Sequence, residues 1–108
     1  MLAKLNRLTQ KKDFDAVFKK GKSLKSSFLI FKELKNNLKE PRIGFVVSKK
    51  VSNKATVRNK IKRRLRAAVL TELKKNKKFI DIVIIALPSI KNKKFSEIKK
   101  SVSEFFRN

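Results

Sequence analysis

The chain has 108 residues, enough for one domain with a modest core, and its 31 Lys and Arg against eight Asp and Glu give a formal net charge of +23. It contains neither Cys nor His, which excludes disulfides, zinc fingers, thiol or imidazole nucleophiles and any Ser-His-Asp triad. With 41% hydrophobic residues but only two Gly and two Pro, it reads as a folded basic domain, and self-repulsion on that scale favours a polyanionic partner.

Residues 1–10 show no periodicity and read as an extended surface segment. They lack the apolar run of a signal peptide, and nothing in the chain approaches the roughly 18 apolar residues of a membrane span. A cytoplasmic protein without membrane contact is the expectation. Phe14, Val17 and Phe18 then recur at helical spacing, predicting a helix over about Lys12–Lys20, capped near Thr9 or Asp13 and stopped by Gly21. Strands are expected at Lys22–Lys25 and Ser27–Leu34, followed by a loop over Lys35–Glu40. RIGFVVS, Arg42–Ser48, is almost continuously apolar and suggests an interior strand. After a loop over Lys49–Ala55, a long helix runs from about Thr56, its candidate cap, to Lys75. FIDIVIIAL, Phe79–Leu87, is a buried strand ended by Pro88, and Phe95, Ile98, Val102, Phe105 and Phe106 mark a terminal helix. The order is αβββαβα, one α+β domain over residues 1–108 whose strand–helix–strand unit implies a partly parallel sheet. Phe45, Phe79, Phe105 and Phe106 read as core.

Between Ser48 and Arg66 there are nine Lys or Arg and no carboxylate. At about 100° per residue, Val57, Ile61, Leu65, Ala68 and Val69 form one apolar stripe, with Asn59, Lys60, Lys62, Arg63 and Arg66 opposite it. Arg58 and Arg64 fall at the stripe edges, where their stems can lie on apolar neighbours. A solvated charged face would mix signs, because like charges at i, i+4 repel. Here the run is unrelieved until Glu72, so phosphate binding is the better reading. A membrane-surface helix fits less well, since the stripe lacks Trp and is needed to cover a sheet. No clustered carboxylates, GxxxxGK[ST] or GxGxxG run suggests a protein-borne active site; Asp13 and Asp15, the closest acidic pair, read as helix-capping.

The stretch KATVRNKIKRRLR, Lys54–Arg66, resembles the Arg-Asn-Arg signature of the protein component of bacterial ribonuclease P. RLTQKKDFDAVFKKGK, Arg7–Lys22, is similar to that family's opening helix, and RIGFVVSKKV and IDIVIIALP to the strands flanking the signature. The likeness covers about residues 7–106. It implies a ribosomal protein S5 domain 2-like fold, with a mixed sheet and a left-handed βαβ crossover. It also implies the protein subunit of a ribonucleoprotein that removes the 5′ leader from precursor tRNA, with catalysis and Mg²⁺ held mainly by the RNA subunit and substrate.

The expected partners are ribonuclease P RNA and precursor tRNA, with no further protein required. By position, the resemblance assigns RNA binding to Lys49, Lys50, Lys54, Arg58, Asn59, Lys60, Lys62, Arg63 and Arg66. It assigns a leader-binding cleft to Phe14, Phe18 and Phe31, whose rings would accept bases by stacking. Lys60 stands where many members carry the second Arg of the signature, keeping charge but losing the guanidinium fork. Ser52-Asn53 stands where Gly is frequent, and Phe31 where relatives can have Tyr. A structural RNA-binding protein of the ribosomal type is the alternative. A DNA reader fits less well, because the long helix spends one face on the sheet.

Overall fold

The strand order rests on a run that is apolar at every position except Asp81. Ile80–Ala86 forms β4, whose alternate side chains enter two separate hydrophobic clusters, which requires a central strand covered on both faces. A computed structural model describes residues 7–38, 40–75 and 79–107. It contains one four-stranded sheet, order β1-β2-β4-β3, with β1 at Lys22–Lys25, β2 at Leu29–Lys35 and β3 at Arg42–Val46. β1–β2 and β2–β4 are antiparallel, whereas β3–β4 is parallel and joined through α2, Ala55–Lys75. Helix α1, Lys11–Lys20, covers one face. The other is covered by α2 and by α3, Phe95–Arg107, which follows a short 3-10 turn at Pro88–Asn92. This is the expected α+β arrangement with a mixed sheet.

Register sorts the side chains into rows. Phe31 of β2, Ile84 of β4 and Phe45 of β3 are aligned and face α2 and α3. Lys32, Val83 and Gly44 form the next row, facing α1. Buried Val17 packs in the same cluster as Val83, and Phe14 lies against Gly44. A Cβ on Gly44 would stand 2.4 Å from the Phe14 ring, so close approach of helix and strand requires glycine there. On the opposite face Phe31 and Phe105 stack with centroids 4.4 Å apart, and Phe106 meets Phe105 edge-on.

Several expectations change. β3 is an edge strand, contrary to the interior position its apolar run suggested. That run reflects cover on both faces, Ile43 and Val47 in one cluster and Val46 against the other, not a strand on either side. Helix α1 closes its first turn on Gln10, whose carbonyl accepts from the Asp13 and Phe14 amides, so neither Thr9 nor Asp13 is the cap. Gly21 does end α1, but at φ −77° rather than in a left-handed conformation. Its role is steric, since a Cβ would stand 2.4 Å from the Val17 carbonyl oxygen. Thr56 lies inside α2, whose first turn closes on Lys54 through the Arg58 amide. Phe79 precedes β4 and is 53% exposed, so it is not core, and Phe45 is only half-buried. The extended reading of residues 1–10 is described only from Arg7 onward, where Arg7 bridges Ile43 and the Leu8 amide donates to the Ile43 carbonyl at 2.9 Å; residues 1–6 lie outside the described residues.

Candidate nucleic-acid interface

The edge strand β3, bridged at Ile43 by Arg7, borders a cleft between α1 and α2. Its volume is about 260 Å³, and its lining includes Arg7, Thr9, Phe14, Gly44, Phe45, Lys62 and Arg66. The stripe of α2 packs as expected: Ile61, Leu65, Ala68 and Val69 are buried and Val57 is packed against the core. With that face committed, helical periodicity turns Lys62 and Arg66, one turn apart, toward the cleft. The lining thus combines two rings, Phe14 and Phe45, with the cations Arg7, Lys62 and Arg66.

The other polar residues of the segment lie outside the lining of this cleft. Asn59, Lys60 and Arg63 are exposed on α2. Lys49, Lys50 and Lys54 are exposed on the preceding loop, which is anchored by buried Val51 and Ser52. In that loop the Val51 amide donates to the Ser48 carbonyl at 3.0 Å and the Lys54 amide to Ser52 Oγ at 3.2 Å. Arg58 Nη1 donates to the Ser52 carbonyl at 2.9 Å, so this arginine also clamps loop to helix. Among the described residues no cation of α2 lies within ion-pairing distance of a carboxylate. Positive charge there is unrelieved among the described residues.

The acidic groups are used elsewhere. Arg42 Nε and Nη2 grip Asp81 at 2.9 and 2.7 Å, and Nη1 reaches Asp13 at 3.1 Å. Asn36 adds a 2.8 Å hydrogen bond to buried Asp81. The Asp81 hydrogen bond raises the Arg42 pKa above its usual value; desolvation opposes this, and the fields of Asp81 and Asp13 add to it. This network joins α1 to β3 and β4 and so helps set the position of the Phe14 wall. Buried Glu72 is different, with Oε1 lacking a hydrogen-bond partner among the described residues.

The three rings expected to share a cleft are separated. Phe14 forms its wall. Phe18, a turn further along α1, is 41% exposed and sits under Lys32, whose Nζ is 5.5 Å from the ring centroid, and it does not line the cleft. Phe31 is a correction: it is 2% exposed on the opposite face of the sheet, stacked in the core on Phe105. Residues not singled out from sequence take part instead. Phe45 follows from strand parity once β3 is known to be an edge, and Arg7 and Thr9 arrive through the Arg7–Ile43 bridge.

Comparison with known proteins gives a consistent result. The family model described as Ribonuclease P matches residues 2–108. The chain is 38% identical over 102 residues to the ribonuclease P protein component of Alkaliphilus metalliredigens, covering 94% of this chain and 91% of that one. It is 40% identical over 107 residues to that of Bacillus pumilus, covering 98% and 89%. Among solved structures, the Thermotoga maritima RNase P protein superimposes with a TM-score of 0.86 at 31% identity, covering 94% of this chain and 98% of that one. The Staphylococcus aureus RNase P protein gives 0.84 at 30%, covering 94% and 92%. An unrelieved cationic helix beside an aromatic-walled cleft, on a fold and sequence shared with these proteins over nearly their whole length, places this chain in the ribonuclease P protein component family, with a role in tRNA 5′ processing.

Proposed function

We infer that this chain docks on ribonuclease P RNA through α2 and the Lys49–Lys54 loop, and receives the 5′ leader of precursor tRNA in the cleft at the β3 edge. The observation that carries this reading is the mixed lining of the cleft: the rings of Phe14 and Phe45 together with the cations Lys62 and Arg66. Single-stranded RNA presents stackable bases and a phosphate backbone together, and a cleft lined by both rings and cations complements it without reading sequence. An apolar cavity of about 150 Å³ holds a benzene ring, so the cleft has room for a base.

Hydrolysis in this reading belongs to the RNA. Among the described residues no group of three or more His, Cys, Asp or Glu could hold a metal, and Asp13 and Asp81 are both bound to Arg42. Mg²⁺ would then be held by the RNA subunit and substrate rather than by these side chains, and would supply activation of water and stabilisation of the leaving oxygen. The chain's own part is to bind and orient. No described helix is long and apolar enough to cross a membrane, and the proposal includes a cytoplasmic complex needing no second protein. The test is reconstitution with a bacterial ribonuclease P RNA and precursor tRNA at low Mg²⁺. Stimulated 5′ maturation is expected; its absence would refute the proposal.

A further inference from the structure

The cations of α2 serve two separate spaces. Lys62 and Arg66 line the cleft, whereas Lys60, Arg63 and Arg64, with Ala67 between turns, line a groove of about 450 Å³ toward α3. The two sets lie roughly 130° apart around the helix, so a ligand in one space does not occupy the other. The groove is completed by Phe95, the first residue of α3. This ring is 36% exposed, and Lys99 Nζ lies 5.7 Å from its centroid. Among the described residues no carboxylate lines the groove. Ala67 leaves it open where a longer side chain at the same helical position would fill it.

An exposed ring facing three cations matches one ligand chemistry: an unpaired nucleotide, its base on the ring and its phosphates on the guanidinium and ammonium groups. Resting on the functional reading above, we propose that Phe95, Lys60, Arg63 and Arg64 form a second single-strand site that holds an unpaired nucleotide of the RNA subunit. The leader is the less fitting source, because a strand lying in the cleft would have to cross α2, a cylinder about 10 Å wide, to reach this groove. The helix is thus held between two polyanions, substrate on one side and RNA subunit on the other. This accounts for cations on both flanks of a helix that needs only one charged face to stay dissolved.

The test uses the full-length protein with a bacterial ribonuclease P RNA, with and without precursor tRNA. Phe95→Ala should weaken binding to the RNA alone by about tenfold, the lower part of the range for losing one base stack. Phe95→Tyr, which keeps the ring, should restore it. The dependence of affinity on salt should be unchanged in Phe95→Ala, which removes no charge, but shallower in Arg63→Ala. Benzoylphenylalanine at position 95 should crosslink to the RNA subunit. Undiminished RNA affinity in Phe95→Ala, with the wild type binding tightly, would overturn this site and leave the functional reading intact. A crosslink to the leader would overturn the assignment to the RNA subunit. Failure of the wild type to bind the RNA at all would overturn both.

Discussion

Replacing Gly44 by Ala tests whether the cleft wall is set by contact between α1 and β3. The added methyl would stand 2.4 Å from Phe14 Cζ, 2.7 Å from Cε1 and 3.4 Å from Leu8 Cβ. Carbon atoms rest at about 3.5–4.0 Å, so the ring must retreat by more than about 1 Å, and the open direction is the cleft itself. Overpacking costs about 1–3 kcal/mol, and the lower half applies because the obstacle is the end of a rotatable side chain. At roughly 4–8 °C per kcal/mol for a domain near this size, a cost of about 1–2 kcal/mol should lower the midpoint by roughly 4–16 °C. Calorimetry in sulfate, which screens the +23 charge, would measure it. The displaced ring should also reduce the preference of the holoenzyme for precursor over mature tRNA. The double variant with Phe14→Ala should lose less stability than the sum of the two single losses, because the clash is then gone. A Gly44→Ala protein with unchanged midpoint and unchanged preference would refute this account of the cleft.

Other outcomes follow from the same geometry. Lys62→Ala with Arg66→Ala should weaken precursor tRNA more than mature tRNA and lower the salt slope by about 1.4, at 0.7 per single-strand phosphate; equal losses for the two substrates would separate these residues from the leader. Phe31→Ala should cost about 3–5 kcal/mol in urea unfolding, with no selective effect on the leader beyond that instability, and a variant of normal stability would return Phe31 to a surface role. Breaking the Asp81 pairing with Asp81→Asn should cost about 2–3 kcal/mol, less than a fully buried pair because Arg42 remains partly exposed and keeps Asp13. The raised Arg42 pKa carries a pH prediction: a base whose folded pKa is raised contributes fully below its unfolded value and loses the contribution only as pH rises through the folded one. For arginine that window opens above about 12, so the stability difference between wild type and Arg42→Gln should be flat from about pH 7 to 10. A difference shrinking across that range would contradict the pairing.

Much of this protein can be read without coordinates. The stripe Val57, Ile61, Leu65, Ala68 and Val69 defines which side of α2 is buried, because a 3.6-residue period leaves one apolar face and therefore one cationic remainder. The unbroken apolar run of β4 likewise requires cover on both faces. Strand parity in β2 is another matter. Leu29, Ile30 and Phe31 are all apolar because both faces of the sheet are covered, so local pattern does not say that Phe31 points to α3 and Lys32 to α1. Nor does it say that β3 is an edge, since hydropathy reports burial of faces while strand order is decided by long-range pairing. The cleft inherits both uncertainties: Phe45 and Gly44 enter it only because β3 ends the sheet, and Phe18 leaves it because α1 crosses toward Lys32. Charge and periodicity along the chain determine what can bind; tertiary pairing, which brings distant residues to one edge, decides where.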